Sequence, residues 1–410
     1  MSEPAALTIL VAARDEEPRI ARTLERLREQ FPGAALLVAD DGSRDATAAV
    51  AEAAGATVVR LPRRGKGQAL TLGERAAPPG PLLLCDTDLE GDLRPLAAAA
   101  AAADVAIAVF AHGEGGGFGI AKRTGRLLVR ALGRVDTREP LSGQRALSAR
   151  ARAAVFPVAA GFGVETRMAI DAARAGLRVR EVELGLAHRA TGRDLAGFRH
   201  RGRQLADLLL ACGPQAVNHH GLRLPLVGWA AGAVVPAVAP VAAVGLADDL
   251  WSGPERGLRA HLAAGATTGV LKLVGIPLWG LWRTRSLSGA VLVGLAANAL
   301  NQLDTRPGRA LKAFAAGSLA LGGRPRRGLA LAVLLAPYDL REMAMLGDGG
   351  SNALGAMLGL ESVRRLRGWQ RLGAIGALGV LTALGERRSL GAVIESTPVL
   401  RSLDALGRQP

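Results

Sequence analysis

The stretch Leu7-Thr-Ile-Leu-Val-Ala-Ala-Arg-Asp-Glu-Glu17 runs from apolar residues straight into a charged cluster, and the pattern recurs twice. Ala34-Ala-Leu-Leu-Val-Ala-Asp-Asp-Gly-Ser43 and Pro81-Leu-Leu-Leu-Cys-Asp-Thr-Asp88 have the same form. Each apolar run has the length and composition of a strand buried on both faces. Between them lie helical patterns at Arg19–Gln30, Asp45–Ala54 and Lys66–Arg75, with a further strand at Thr57–Leu61. Strands alternating with helices over residues 5–190 predict a mainly parallel sheet covered on both faces. In such sheets ligands bind beyond the carboxyl ends of the strands. The clusters Asp15-Glu16-Glu17, Asp40-Asp41-Gly42-Ser43 and Asp86-Thr87-Asp88 would then share one edge.

A single acidic strand end is routine, because Asp favours turns and helix caps. Three on one side concentrate negative charge and call for a cation or hydrogen-bond donors. Mg²⁺ or Mn²⁺ takes one or two carboxylates and lets substrate phosphates complete its shell. Asp86 and Asp88, two apart in a turn after a strand, can offer that. A lone Asp-x-Asp is weak evidence; the neighbouring clusters give it weight.

Of the 410 residues 49% are hydrophobic and 3% aromatic, so the core is built from Ala, Leu and Val. Net charge is +15, nearly all of it arginine, since the lysines are Lys66, Lys122, Lys272 and Lys312. That charge suits phosphorylated substrates or anionic lipid, and equally a gene of high GC content. Aromatics that could stack on bases are scarce, which sets nucleic acid aside. Cys85 and Cys212 lack nearby partners, so neither a disulfide framework nor a zinc site is expected. Leu7–Ala13 is short and leads into charge, so no secretory signal is expected there.

After about residue 205 the pattern changes. Leu224–Leu246 is 23 residues without a charge, above the ~20 needed to span a bilayer. Ser286–Leu303 is also uncharged, Leu262–Trp282 carries only Lys272, and shorter apolar segments lie near 310–322, 328–346 and 369–385. Arginines collect between these runs. Asp248 and Asp249, the Asn298–Asp304 segment with Asn301, and Asp348 stand at the run ends. Carboxylates at membrane depth are costly unless they line a polar cavity. Ordinary helix-end acids in the headgroup zone would account for Asp248 and Asp249, less well for the others.

The motifs Val11-Ala-Ala-Arg-Asp-Glu-Glu, Val38-Ala-Asp-Asp-Gly-Ser-Arg-Asp-Ala-Thr, Arg64-Gly-Lys-Gly-Gln-Ala and Cys85-Asp-Thr-Asp resemble family 2 glycosyltransferases of the GT-A fold. Pro140-Leu-Ser-Gly-Gln-Arg-Ala, Gly161-Phe-Gly-Val-Glu-Thr and His188-Arg-Ala-Thr-Gly-Arg-Asp continue the resemblance in order. Dolichyl-phosphate mannosyltransferases and glucosyl-3-phosphoglycerate synthases are similar in type. The resemblance implies that Ala12, Arg14, Glu16, Asp41, Lys66, Asp86 and Thr87 line the nucleotide-sugar site. It also implies that Asp86 and Asp88 hold Mg²⁺ or Mn²⁺, that Asp88 and Glu165 are catalytic, and that Lys122 and Arg145 meet the acceptor phosphate. Relatives commonly have Pro and Tyr where this chain has Ala12 and Arg14. For Glu165, an ordinary surface acid opening a helix is the competing reading. For any single basic residue, a solvated face competes equally.

The motifs of the second half resemble the polyprenyl-phosphate hexosamine-1-phosphate transferases, a superfamily that includes the phospho-MurNAc-pentapeptide translocase. Those enzymes use Mg²⁺ and aspartates. Asn218–Trp229 is similar to their Pro-Gly-Gly loop in worn form. This chain departs at Asp304-Thr-Arg-Pro-Gly and has no histidine after His261.

The expected architecture is an α/β GT-A domain over 1–212 with a Rossmann-like, mostly parallel sheet. An all-α polytopic membrane domain follows over 213–410, with a polar site of Asp248, Asp249, Asn301, Asp304 and Asp348. The expected function is transfer of a sugar from a UDP- or GDP-sugar to a polyprenyl-phosphate or glycolipid acceptor, at the cytoplasmic face of the inner (plasma) membrane. The second half would serve as the lipid-binding module. Two alternatives are an enzyme active in both halves and a non-catalytic membrane scaffold.

Overall fold

The computed structural model describes residues 6–87, 91–110, 119–185, 195–251, 268–322 and 326–408. They form two compact units, Met1–Gly213 with His220–Arg223, and Pro214–His219 with Leu224–Pro410.

The first unit is built on seven strands: β1 (Thr8–Ala13), β2 (Ala35–Asp40), β3 (Thr57–Arg60), β4 (Leu82–Cys85), β5 (Val105–Phe110), β6 (Arg145–Leu147) and β7 (Val179–Leu184). Their order in the sheet is β3-β2-β1-β4-β6-β5-β7. All neighbouring pairs are parallel except those of β6 with β4 and β5. The helices are α1 (Glu17–Gln30), α2 (Thr47–Ala53), α3 (Lys66–Ala76), α4 (Arg94–Ala102), α5 (Ile120–Leu128), α6 (Ala149–Val155), α7 (Val164–Arg174) and α8 (Leu195–Cys212).

Alternation along β1 sends Ile9 and Val11 to one face and Leu10 to the other. The first pair packs with Ile20, Leu24 and Leu27 of α1. Leu10 packs with Leu70 of α3 and Met168 of α7. On α1 the buried residues recur at helical spacing, and Leu24 is fully buried. Leu24→Ala would cost about 2–5 kcal/mol. The register aligns the carboxyl ends, with Ala13 opposite Asp40 and Asp40 opposite Arg60, and Val11 opposite Cys85. Ala97–Ala102 make up most of α4, whose buried face includes Leu96 and Ala100.

The second unit is helical: α9 (Ala230–Val234), α10 (Ala239–Trp251), α11 (Thr268–Thr284), α12 (Leu287–Leu303), α13 (Arg309–Ala320), α14 (Arg326–Leu340), α15 (Gly347–Arg365), α16 (Trp369–Arg387), α17 (Leu390–Ser396) and α18 (Pro398–Ala405). α15 is central. A Cβ on its Gly355 would lie 2.4 Å from Ala297 Cα, and one on Gly359 would lie 2.7 Å from Val293 Cα. Small residues thus let α15 approach the α12 backbone.

The uncharged run Leu224–Leu246 is not the single long helix expected of it. It is divided among a short strand Arg223–Pro225, α9, a one-turn helix Pro236–Val238 and the start of α10. Proline lacks the amide a helix interior needs, and Pro236 follows directly on the non-helical Val235 (φ −125°, ψ 84°). Among the described residues no helix is long and apolar enough to cross a membrane.

Candidate active site

The edge formed by the carboxyl ends of β1, β2 and β4 is assembled by its own acids. Asp15 takes a left-handed backbone, φ 54°. Its amide donates to Ser43 Oγ at 3.0 Å, and its carboxylate accepts from the Arg44 amide at 2.8 Å. The Glu16 amide donates to Thr47 Oγ1 at 2.8 Å, while Glu17 Oε2 accepts from the Ala46 amide at 3.0 Å. These bonds tie the loop after β1 to the loop after β2. The Glu16 carboxylate itself pairs with Arg19 at 2.8 Å.

Asp41 is buried and aims its carboxylate at the next loop. Oδ1 accepts from the amides of Arg64 at 2.6 Å and Gly65 at 2.9 Å. Burial raises its pKa, against the lowering effect of those amides and of the Arg14 and Arg63 charges. Asp41 therefore fixes the entry to α3, whose first residue is Lys66. Gly42 (φ +67°) is required there, since a Cβ would meet the Arg63 nitrogen at 2.7 Å.

Lys66 is the centre of the site. Its Nζ lies 2.7 Å from Asp86 Oδ1 and 2.7 Å from Glu165 Oε1. Burial alone would depress its pKa, but the two carboxylates outweigh that and hold the ammonium above its ordinary value. Glu165 is buried in the first turn of α7, where the helix dipole favours a carboxylate. Asp86 is positioned from below, its amide donating to buried Gln144 Oε1 at 2.9 Å. Its other oxygen lies over Gly143, where an added Cβ would come within 2.0 Å of Oδ2 and 2.8 Å of Lys66 Nζ. Thr87 is also buried, its carbonyl accepting from Thr23 Oγ1 at 2.6 Å. Hard carboxylate oxygens beside a glycine-made opening fit a small divalent cation, with Asp86 as one ligand. Asp88 and the His188–Asp194 motif lie outside the described residues.

Two expected contacts take different places. Arg145 is fully buried on β6 and does not face solvent. Its Nε donates to Ser142 O at 2.9 Å and Nη2 to Pro140 O at 3.2 Å. Burial lowers its pKa to about 10, partly offset by Glu165 and Glu181. Arg145 thus braces the loop that carries Gly143, because an inward strand position admits no acceptor from solvent. Lys122 on α5 is bonded to Glu139. Arg14 is half-exposed beside Asp15, and Ala12 is half-buried on β1.

Gly143 and Gln144 are site residues that sequence reasoning passed over. Their signal is a glycine and an amide directly ahead of a strand, in the same Pro140–Ala146 motif as Arg145. Gly67 serves packing: its Cβ would meet the Ala159 carbonyl at 1.9 Å, so α3 can pack only with glycine there.

In the second unit, the five expected polar residues converge. Lys272 Nζ lies 2.5 Å from Asp248 Oδ2 and also bonds Asp348. Asn301 Nδ2 donates to Asp348 Oδ1 at 2.7 Å. Asp249 accepts from the amides of Asp348 and Gly349, both at 3.0 Å, and so caps α15. Asp304 lies close enough to feel Asp339, Asp348 and Asp249. The positive charge between Asp248 and Asp348 is Lys272, which the sequence shows only as an interruption of an apolar run.

A family model described as glycosyl transferase family 2 matches residues 8–162. Glycosyltransferase AglJ of Haloferax volcanii is 32% identical over 206 residues, covering 47% of this chain and 67% of AglJ. The 4,4'-diaponeurosporenoate glycosyltransferase of Staphylococcus aureus is 48% identical over 54 residues, 13% of this chain and 14% of its own length. Among solved structures, glucosyl-3-phosphoglycerate synthase of Mycobacterium tuberculosis, in complex with Mn²⁺, UDP and glucosyl-3-phosphoglycerate, is 27% identical. That similarity covers 54% of this chain and 86% of the synthase, at a TM-score of 0.42.

Proposed function

Because the chain belongs to glycosyl transferase family 2 and is a glycosyltransferase, we propose that its first unit moves a sugar from a UDP- or GDP-sugar to a polyprenyl phosphate or related glycolipid. The observation that carries this reading is Lys66, held between Asp86 and Glu165 at the carboxyl edge of the sheet.

Displacement at the anomeric carbon breaks its bond to the diphosphate oxygen, and the electron pair leaves with the nucleotide. Lys66 stands at the start of α3, where an ammonium and the helix N-terminus together favour phosphate. Asp86, with Asp88 beyond it, would hold a Mg²⁺ or Mn²⁺ ion that neutralises the departing diphosphate. Asp41 fixes the Arg64–Gly65 backbone, and Gln144 fixes Asp86. Glu165 accepts the proton where the acceptor is a hydroxyl and orients the acceptor where it is already an anion. Lys122 is the basic residue left to meet an acceptor phosphate, once Glu139 releases it.

The second unit serves in this reading as the lipid-contacting part, and the protein works at the cytoplasmic face of the plasma membrane. What supports this is its surface: Leu278 and Trp282 on α11, Leu319 on α13, Val333 on α14, and Val380 and Leu384 on α16 are large apolar side chains left exposed. Lys272 between Asp248 and Asp348 favours a binding role for this unit over a second transfer reaction.

Calorimetric titration of the full chain with UDP and with GDP, each with Mn²⁺, tests the donor site. One nucleotide should bind, and Lys66→Ala should weaken it on the order of tenfold or more. Binding of neither nucleotide, with Mn²⁺ or with Mg²⁺, refutes the assignment.

A further inference from the structure

Side-chain contacts fix the two ends of the helical bundle. α12 and α15 run antiparallel, since Asn301 bonds Asp348 near one end and Gly359 packs on Val293 towards the other. α16 runs parallel to α12, because Arg371 Nη1 donates to Ser288 Oγ at 3.3 Å and Asn298 Nδ2 to Thr382 Oγ1 at 3.1 Å. α11 leads into α12 through the turn at Arg285 and Ser286. The end of α11, the start of α12, the end of α15 and the start of α16 therefore meet at one level. Asp248, Asp348 and Lys272 lie at the opposite level, about 20 Å away along α12 at ~1.5 Å per residue.

The first level is lined with arginine. Arg283 in the last turn of α11 and Arg285 after it, with Arg364 and Arg365 in the last turn of α15 and Arg367 after it, are all exposed. Arg364 and Arg365 share a single acid, Glu361, at 3.7 and 2.8 Å. Trp282 and Trp369 stand beside these turns, 63% and 80% exposed, and the Arg283 guanidinium lies 5.6 Å from the Trp282 ring centre. Just inside this level are exposed Leu278, Leu287, Val291 and Leu372. An apolar band edged first by tryptophan and then by arginine matches the gradient at a lipid surface: acyl chain, interface, headgroup.

We infer that this arginine and tryptophan end of the second unit docks on anionic lipid headgroups. The inference rests on the lipid-contact reading above and adds which end engages and which class of lipid. Charge complementarity selects the partner: each arginine near an anionic surface adds a roughly constant increment of binding, Glu361 is the acid paired with Arg364 and Arg365 there, and Asp248 and Asp348 stand at the other end. A polyanion such as nucleic acid would satisfy the arginines and leave the apolar band in water.

The test is co-flotation of the full chain with vesicles of phosphatidylcholine alone, or of phosphatidylcholine with phosphatidylglycerol, at low and high salt. The comparison is with R364Q/R365Q/R367Q, whose positions are exposed and whose fold is checked by circular dichroism. The wild type should prefer the anionic vesicles, with the preference shrinking in salt. The triple variant should lose that preference by roughly fivefold per arginine, on the order of a hundredfold in all, while still floating with neutral vesicles. An unchanged preference in the variant, or displacement from anionic vesicles by RNA, overturns the inference and leaves lipid contact standing. Flotation with neither vesicle overturns both.

Discussion

Gly143→Ala separates the chemistry of the site from the stability of the fold. The added Cβ would lie 2.0 Å from Asp86 Oδ2 and 2.8 Å from Asp86 Cγ and Lys66 Nζ. Ordinary carbon–oxygen contact needs about 3.3 Å, so the carboxylate must move by about 1.3 Å or the loop must give way. Gly143 is adjacent to Gln144, whose side-chain Oε1 accepts from the Asp86 amide, and Arg145 is bonded to the backbone just before it. The loop is thus held on both sides, and the carboxylate is the part that moves. Its 2.7 Å contact with Lys66 is lost. Misplacement by about 1 Å at a reacting centre costs on the order of 10²-fold in rate, or about 2.7 kcal/mol of transition-state stabilisation. The pair is partly exposed, so the stability cost is much smaller, ~1 kcal/mol or less. The assay is release of nucleotide from whichever UDP- or GDP-sugar the protein turns over, alongside a thermal melt. Activity within threefold of wild type would mean that Asp86 is not held by this contact. A collapse of the melt would mean that Gly143 serves folding instead.

Gly67→Ala should behave in the opposite sense. Its Cβ meets backbone, the Ala159 carbonyl at 1.9 Å, so a loss of about 1–3 kcal/mol in denaturant unfolding is expected; an unchanged midpoint contradicts the packing described. Glu165→Gln should lower turnover roughly 10²-fold on a hydroxyl acceptor with nucleotide affinity little changed, and a small loss would indicate an acceptor that is already an anion. Asp86→Asn, or chelation by EDTA, should abolish most turnover while the melt is retained, and full activity under either condition excludes the metal at this carboxylate. Lys66 has a raised pKa in the fold, so its ion pairs are complete below the ordinary lysine value of about 10.5 and are lost only as pH climbs through the raised one. The rate should therefore show no fall due to Lys66 up to about pH 10, and a decline centred below pH 9 that vanishes in Lys66→Arg contradicts this.

The first half is legible because strands buried on both faces must be written as short apolar runs, and their ends as turns. β1, β2 and β4 lie within a residue or two of their sequence-read bounds for that reason. The three-residue β6 has no such run to announce it, and nothing in the sequence reveals that the Arg145 guanidinium turns inward. In the second half, absence of charge is legible but continuity of helix is not. Leu224–Leu246 reads as a span by composition, yet Pro236 interrupts it. Gly228 packs so closely on the Leu346 carbonyl, 1.9 Å from its added Cβ, that the backbone there is set by tertiary contact. Asp248, Asp348 and Lys272 come together from three helices, a juxtaposition that spacing along the chain does not encode.

The most direct measurement incubates the full chain with radiolabelled UDP- and GDP-sugars in vesicles containing polyprenyl phosphate, with label followed into the lipid extract. Lipid-linked label from one donor is expected, lost in EDTA and in Asp86→Asn. Label that enters lipid undiminished in Asp86→Asn, or that enters lipid from no donor, contradicts a glycosyl transfer centred on Asp86, Lys66 and Glu165.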